Sequence, residues 1–246
     1  EVVYQGLKQG CKITAFCREP SKLVVPAGSG GGEAGTPISD PNLRTVQGTV
    51  TSREDVDKVF EGEDITGVVI ALGGKTKDVG ATMLTDGTAN IISAMKEKGV
   101  KRVGCMTSIG VGDSEKQAPI FFKARSAGAR EGEGPQEKRM QVLMYTVMKG
   151  IFEDKNNQEA LFTKGPGSDL DYTIVRPGGL TVEPPTGIVN VVKNEAGSIT
   201  RADVATFLLG SVTDEEWAYN KQAPCISSVG GTSWVKDRSK AARGEM

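Results

Sequence analysis

Two lysines with partners at helical spacing are the residues best suited to chemistry in this sequence. Tyr145 precedes Lys149 by four positions, and Lys155 precedes Glu159 by the same interval. Residues four apart lie on one face of an α-helix, so the members of each pair can interact. A neighbouring ammonium lowers the pKa of a tyrosine, which makes Tyr145 and Lys149 a candidate pair for proton transfer.

The apolar pattern of residues 137–165 indicates which lysine faces the core. Helical spacing predicts a buried stripe, and its continuation reaches Lys155 and then Glu159. At roughly 100° per residue, Lys149 points about 120° away from Lys155, toward a shoulder of the helix or the solvent. The stripe consists of Met140, Met144, Val147 and Ile151. Lys155 is therefore the inward-facing lysine, and Ile151 stands four residues before it.

Composition excludes several classes of function. The 246-residue chain has no histidine, which removes the commonest general base, the commonest zinc ligand and any Ser-His triad. Its 30 basic and 31 acidic residues leave no excess positive charge for a nucleic acid or an anionic membrane. No apolar run approaches the roughly 20 residues of a spanning helix. The four cysteines have no metal-ligand spacing, so no metal site is predicted, and a small-molecule ligand is the default expectation.

Apolar, β-branched runs alternate with helical patterns along the chain. Strands are predicted at residues 12–17, 43–48, 67–72, 101–108, 171–177 and 188–192. Helices are predicted at residues 53–62, 86–99, 137–165 and 201–212. Strands separated by helices of this length imply βαβ units and a parallel sheet covered on both faces. The expected fold is a doubly wound α/β (Rossmann) sheet, with residues 1–246 forming a single domain.

Two stretches interrupt the alternation, and the chain start raises a separate question. Residues 27–36 are too rich in glycine to hold a fixed backbone without help, and residues 113–136 are long and mixed in charge, so both are predicted surface loops. Residues 1–10 have the pattern of a helix ending at its usual glycine, with no strand before it. We therefore expect the natural protein to exceed 26.0 kDa, with the first strand and its Gly-rich turn in the additional segment.

The ordered set of motifs resembles a known family. The segments are residues 13–23, 86–103, 106–113, 154–161, 171–180 and 199–205. Together they are similar to atypical short-chain dehydrogenase/reductases, in particular the single-domain NAD(P)-binding proteins of the NmrA-like and biliverdin/flavin reductase type, with their plastid and cyanobacterial relatives. The resemblance covers nearly the whole chain except the two loops and the C-terminal segment. It implies a dinucleotide cofactor and a small-molecule acceptor.

By this resemblance, Arg18 follows the second strand of the family, where the adenosine ribose is bound. An arginine there supplies charge-assisted hydrogen bonds to a 2′-phosphate, so Arg18, with Lys22, favours NADP over NAD. The alternative is that both are solvated loop cations, because Glu19 lies beside Arg18.

The resemblance assigns further residues to the cofactor. Thr49 and Val50 correspond to positions against the adenine, although relatives have an aspartate at the position of Thr49. A turn at the carboxyl edge of the sheet lets the backbone approach a ribose, or is a plain turn, and a later loop borders the nicotinamide. These two segments are Ala71, Leu72, Gly73 and Gly74, and Pro177, Gly178 and Gly179.

The same resemblance gives expectations for catalysis. Thr107 and Ser108 end a strand, and Ser108 matches the active-site serine, whose hydroxyl can donate to an acceptor as hydride arrives; the alternative is a hydroxyl bonded to local backbone. Lys155 and Glu159 fit the family pattern K-x-x-x-E, which leaves Ile151 where a catalytic tyrosine would stand. Lys155 either binds the ribose hydroxyls of the cofactor or pairs with Glu159.

Two functions follow from the resemblance. The first is an NADPH-dependent reductase of a small planar or quinone-like substrate. The second is a nucleotide-binding protein without turnover, either a redox sensor or an accessory subunit of a larger photosynthetic or respiratory complex, with protein partners bound through residues 113–136. A plastid or another organelle is favoured over secretion, and a cytoplasmic location remains open.

Overall fold

A computed structural model describes residues 1–73, 80–117, 135–192 and 197–228 of the protein. Side chains are described throughout these ranges except at residues 115–117, 135–148 and 192. Of the predicted site residues, Gly74 lies outside the described ranges. The predicted stripe residues Met140, Met144 and Val147, together with Tyr145, lie outside the described side chains.

The strands follow the apolar runs closely. They are β1 (Ile13–Cys17), β2 (Leu43–Gln47), β3 (Gly67–Ile70), β4 (Arg102–Met106), β5 (Asp171–Pro177), β6 (Leu180–Thr181), β7 (Val189–Val192), β8 (Ile199–Thr200) and β9 (Cys225–Ser228). The last six residues of β5 are all buried, as expected for a strand covered on both faces.

The helices lie between these strands. They are α1 (Val2–Lys8), α2 (Arg53–Asp57), α3 (Met83–Glu97), α4 (Pro135–Thr163) and α5 (Arg201–Thr213). A 3-10 turn, Lys58–Phe60, continues α2, and another, Gly112–Gln117, follows β4. Thr200 caps α5, since its hydroxyl accepts from the amide of Asp203 at 3.0 Å while donating to that residue's carboxylate at 2.9 Å.

The central sheet has the strand order β3-β4-β5-β9-β7. Its first four strands are parallel, and β7 runs antiparallel to β9. The strands β1 and β2 form a separate parallel pair, as do β6 and β8. These observations, with the helices between the strands, confirm the expected Rossmann-type α/β fold. The pairings of β9, β6 and β8 were not anticipated.

Two apolar clusters cover the sheet. One includes side chains from α2, α3 and the end of α4, with Ile92, Met95 and Phe162 fully buried. The other is formed largely by α5, with Leu208 and the aromatic group of Phe207, Trp217 and Tyr219. Gly104 of β4 permits the close approach of α5, because a Cβ there would lie 2.4 Å from Ser211 Oγ.

The glycine-rich stretch holds a defined backbone, so the expectation that it would not is wrong. Val24 and Pro37 form an antiparallel bridge, and the amide of Val25 donates to the carbonyl of Thr36 at 2.8 Å. Gly31 and Gly35 adopt positive φ angles of 53° and 85°, which close the turn between the bridged ends. Hydrogen bonds across the turn supply the order that composition alone does not predict.

Candidate functional site

The carboxyl ends of β4 and β5 bring the predicted Thr107–Ser108 and Pro177 segments together. The strands pair in register up to Met106 and Val175. Beyond them, the amide of Thr107 donates to the carbonyl of Val175 at 2.8 Å, and the amide of Ile109 donates to that of Pro177 at 3.0 Å. In open α/β sheets this edge is where ligands bind.

Lys155 projects from α4 onto this edge. Its ammonium donates to the carbonyl of Thr107 at 2.7 Å. One helical turn later, Glu159 Oε1 accepts from the hydroxyl of the same threonine at 2.7 Å. Thr107 is thus held at both its carbonyl and its hydroxyl by two residues that share one face of α4.

The carboxylate of Glu159 is bound by Arg176, so the expected alternative of a Lys155–Glu159 pair is wrong. Arg176 Nε donates to Oε1 at 3.0 Å and Nη2 donates to Oε2 at 2.6 Å, a two-point contact between side chains that are each only 4% exposed. Among the described residues, Lys155 makes no ion pair with this carboxylate. The arginine fork offers two charge-assisted bonds where the lysine would offer one.

The turn after β4 completes the surroundings of Arg176. Its Nη1 atom donates to the carboxylate of Asp113 and, at 3.3 Å, to the carbonyl of Ala223. Gly112 has a φ of 60°, and a Cβ there would lie 2.2 Å from Arg176 Nη2. The amide of Gly112 donates to Asn156 Oδ1 at 2.8 Å, which ties the turn to α4.

Burial dominates the electrostatics of the site. It lowers the pKa of Lys155, and the nearby Cys105, Glu159 and Asp154 only partly offset this shift. Burial also raises the pKa of the Cys105 thiol on β4, assisted by Glu159 and opposed by Lys155. For Arg176, burial favours the neutral form, but the bonds to Glu159 and Asp113 outweigh it and raise the pKa. The ammonium of Lys155 is thus easier to deprotonate than an exposed one.

The neighbours of Lys155 on α4 fix this helix against α3. Asp154 accepts from the amides of Leu84 and Thr85 at 2.9 and 3.0 Å and from the Thr85 hydroxyl at 2.5 Å. Gln158 Nε2 donates to the hydroxyl of Thr88 at 2.9 Å. The first turn of α3 is therefore capped by a carboxylate from another helix, which sets the orientation of α4 at the site.

Lys149 lies away from this edge. Its side chain is 67% exposed, and its ammonium lies 3.6 Å from the carboxylate of Glu153, itself 63% exposed. Ile151, four residues before Lys155, is partly buried. Helical phase thus predicted which of the two lysines turns toward the sheet.

Ser108 adopts the local bond that was the alternative to a catalytic role. Its hydroxyl donates to the carbonyl of Ile109 at 3.0 Å, and the side chain is partly buried. Gly178 is buried and Gly179 is half-buried, with the carbonyl of Gly179 accepting from the amide of Ile199 at 2.9 Å. Both glycines and Ser108 stand at the same strand ends as Thr107.

The cations predicted to bind the adenosine end lie directly after β1. Arg18 is exposed, its carbonyl accepts from Gln47 Nε2 at 3.0 Å, and no carboxylate of the described residues lies within ion-pair distance of its guanidinium. Lys22 forms an exposed pair with Glu19 at 2.8 Å. Such surface pairs are weak, so the lysine can exchange its partner for a ligand.

The remaining predicted binding residues flank β2 and β3. The amide of Thr49 donates to Asp55 Oδ2 at 3.1 Å, and its hydroxyl lies 3.0 Å from that of Thr51. Val50 packs against α3 at Gly87 and near Leu72. Ala71 and Gly73 are exposed and Leu72 is half-buried at the carboxyl end of β3.

The donor set fits a phosphorylated dinucleotide. Arg18 and Lys22 provide cationic donors at one end of this edge, and Lys155 provides a third near Thr107. Charge-assisted donors are what phosphate and ribose oxygens require. Arg18 and Lys22 would hold the adenosine phosphate, and Lys155 the ribose next to the nicotinamide.

Several residues of the site were missed by the sequence analysis. They are Arg176, Asp113, Gly112, Asn156 and Asp154. One signal could have identified the first of them, because Arg176 interrupts an otherwise apolar strand that is buried on both faces, and a buried charge requires a partner. The others depend on tertiary contacts that local periodicity does not contain.

A parallel sheet with these residues at its carboxyl edge defines a Rossmann-fold dinucleotide-binding protein. The sequence profile of the NAD(P)H-binding family matches residues 1–215. The chain belongs to this NAD(P)H-binding family and is an atypical short-chain dehydrogenase/reductase. In the part of the chain that the structure describes, no helix has both the length and the apolar character needed to cross a membrane.

Similar proteins agree with this assignment. An uncharacterized chloroplastic protein of Arabidopsis thaliana is 29% identical over 228 residues, which is 89% of this chain and 69% of that protein. The anaerobilin reductase ChuY of Escherichia coli O157:H7 has a similar fold, with a TM-score of 0.64 and 18% identity over 94% of this chain and 92% of that one. A short-chain dehydrogenase/reductase of Veillonella parvula, solved with NADP, gives a TM-score of 0.61 at 13% identity, covering 94% and 90% of the two chains.

Proposed function

We propose that the protein is an NADPH-dependent reductase of a small planar or quinone-like acceptor. The observation that carries this proposal is the contact of Lys155 with the carbonyl of Thr107, 2.7 Å long, at the carboxyl edge of a parallel sheet. A cation with a depressed pKa, fixed beside the serine at this edge, is what an oxidoreductase of this family needs for orienting a cofactor ribose.

The roles of the residues follow from their positions. NADPH, when bound, supplies the hydride. Arg18 donates to the 2′-phosphate, and Lys155 donates to the ribose hydroxyls while retaining Thr107 as its anchor. Ser108 exchanges its bond to the Ile109 carbonyl for one to the acceptor, where its hydroxyl stabilises developing negative charge. The proton comes from solvent, because Ile151 stands four residues before Lys155 and has no proton to give.

A second candidate function is dinucleotide binding without turnover, as in a sensor or an accessory subunit. Two observations favour it. The Ser108 hydroxyl is already satisfied by the Ile109 carbonyl at 3.0 Å, and an apolar Ile151 occupies the position of the family's proton donor. Both observations concern the proton and the acceptor, and neither affects the binding of the cofactor.

Turnover distinguishes the two candidates. NADPH oxidation by the full chain would be followed against a panel of quinones, flavins and tetrapyrroles. The reductase proposal predicts turnover with at least one planar acceptor and a lower rate in the Ser108→Ala variant. NADPH binding without oxidation by any member of the panel would instead support the binding protein.

The preference for NADPH has its own test. Arg18→Ala should weaken NADPH binding by about 10- to 100-fold, the equivalent of about 1.5–3 kcal/mol for a charge-assisted bond, and leave NADH binding nearly unchanged. Lys12→Ala is the matched control, because Lys12 is an exposed cation at the opposite end of β1. Equal losses of NADPH and NADH affinity would refute the assignment of Arg18 to the 2′-phosphate.

A plastid location is part of the same proposal. It is supported by the chloroplastic relative from Arabidopsis thaliana, which is similar over 89% of this chain. Immunoblots of fractionated cells of the source organism should find the protein with plastid markers, and enrichment with another compartment would overturn this part of the proposal.

A further inference from the structure

Glu159 has a choice of two cations at this site, and the structure shows which one it takes. Lys155 stands one helical turn before it, at the spacing where lysine and glutamate ordinarily pair on a helix. Glu159 is bound instead by the two-point fork of Arg176, which reaches it from β5. The default helical pair has therefore been replaced by a contact between α4 and the sheet.

The guanidinium of Arg176 has no spare capacity. Nε and Nη2 donate to Glu159, and Nη1 donates to Asp113 and to the carbonyl of Ala223. Gly112 leaves room for this arrangement because it carries no Cβ. The four charged groups, Arg176 and Lys155 against Glu159 and Asp113, balance each other, as a buried cluster requires.

We infer that Arg176 is a positioning residue for Lys155: by holding Glu159, it keeps the lysine ammonium on the Thr107 carbonyl and available to a ligand. This inference deepens the proposed function and rests on it only for the identity of that ligand. The geometric statement concerns the chain alone. Thr107 is the shared element, since its hydroxyl donates to Glu159 and its carbonyl accepts from Lys155.

Removing the arginine should transfer the lysine to the glutamate. In Arg176→Met, Glu159 would be a buried carboxylate with one hydrogen bond, from Thr107, and no cation. Lys155 is four residues away on the same helix and can satisfy it. The expected crystal structure of this variant has the Lys155 ammonium within ion-pair distance of Glu159 and no longer bonded to the Thr107 carbonyl.

The double variant Arg176→Met/Glu159→Gln separates positioning from general damage. A neutral glutamine gives the lysine no reason to leave, so Lys155 should remain on Thr107. The single variant should lose about tenfold in NADPH affinity, and the double variant should recover to within about threefold of the wild-type protein. Arg176→Lys, which keeps the charge but not the fork, should give an intermediate loss.

Lysine NMR supplies a readout that a purely structural role of Arg176 would not change. The Lys155 signal, assigned by its loss in Lys155→Arg, should titrate at higher pH in Arg176→Met than in the wild-type protein. It should return toward the wild-type midpoint in the double variant. The groups that face this ammonium are Cys105 from β4 and Asp154 and Glu159 from α4. Lys149, exposed on the same helix, is the internal control and should not shift.

The outcomes divide cleanly. If Lys155 stays on the Thr107 carbonyl and keeps its titration midpoint in Arg176→Met, the inference is overturned, even if the variant is less stable. If Arg176→Met does not fold, the comparison between Arg176→Lys and the double variant decides, and equal lysine midpoints in the two would overturn the inference. If the lysine moves as expected but no dinucleotide binds to the wild-type protein, the proposed function fails and the positioning role remains.

Discussion

Replacing Asp154 by alanine should destabilise the protein by about 3–5 kcal/mol. The carboxylate is buried and accepts two amide hydrogen bonds from the first turn of α3, at 2.9 and 3.0 Å, and one from the Thr85 hydroxyl at 2.5 Å. Each buried donor left unsatisfied costs about 1–3 kcal/mol, and losing an anion at a helix N-terminus adds about 0.3–1 kcal/mol. Partial relaxation around the smaller side chain keeps the sum near the lower end of these values.

The adjacent residue provides the control. Glu153 is exposed on the same helix, and its contact with Lys149 is a surface pair at 3.6 Å. Glu153→Ala should therefore change stability by no more than about 0.5 kcal/mol. Asp154→Asn should lie between the two, because the amide oxygen still accepts but the amide nitrogen cannot.

Equilibrium unfolding in urea, followed by circular dichroism, measures these differences. The linkage to the site is tested by repeating the NADPH titration, since Asp154 precedes Lys155 and fixes the orientation of α4. An Asp154→Ala variant whose unfolding free energy matches that of Glu153→Ala would refute the capping argument.

Three further predictions concern single residues. Gly112→Ala should cost more unfolding free energy than Gly62→Ala, because both have positive φ, 60° and 69°, but only at Gly112 does a Cβ meet the Arg176 guanidinium; equal costs in urea would contradict this. Burial raises the pKa of Asp203, but hydrogen bonds from Thr186, Thr200 and Gly187 outweigh it and lower the value overall. Its stabilising contribution should thus be present above pH of about 3.9 and lost as pH falls through the depressed folded value, so the stability deficit of Asp203→Asn should narrow in acid, and a deficit independent of pH would argue against it. Cys105, fully buried with a raised pKa, should resist iodoacetamide in the folded protein and react after denaturation, as read by mass spectrometry.

The fold was accessible to sequence analysis because its signals are local. Short apolar runs and helical spacing predicted β1 to β5 and the main helices, and the phase of α4 predicted that Lys155 rather than Lys149 turns inward. The antiparallel pairing of β7 with β9 was not accessible, because pairing between distant strands depends on the assembled sheet. The bridge across the glycine-rich stretch escaped for the same reason.

The site was less accessible than the fold. Spacing alone could not decide whether Glu159 pairs with Lys155 or with another cation, since the competing arginine lies on a strand 17 residues further along the chain. The two-point fork of Arg176 wins over the single ammonium, and this competition exists only in the folded protein. The roles assigned to Ser108, Arg18 and the glycine loops remain predictions.

The most direct test of the central claim is an NADPH titration of two lysine variants from the same helix. Lys155→Met should weaken NADPH binding by about 10- to 100-fold, as expected for the loss of a charge-assisted bond, while Lys149→Met should bind NADPH like the wild-type protein. Equal affinities in the two variants would contradict the assignment of Lys155 and the Thr107 edge to the cofactor.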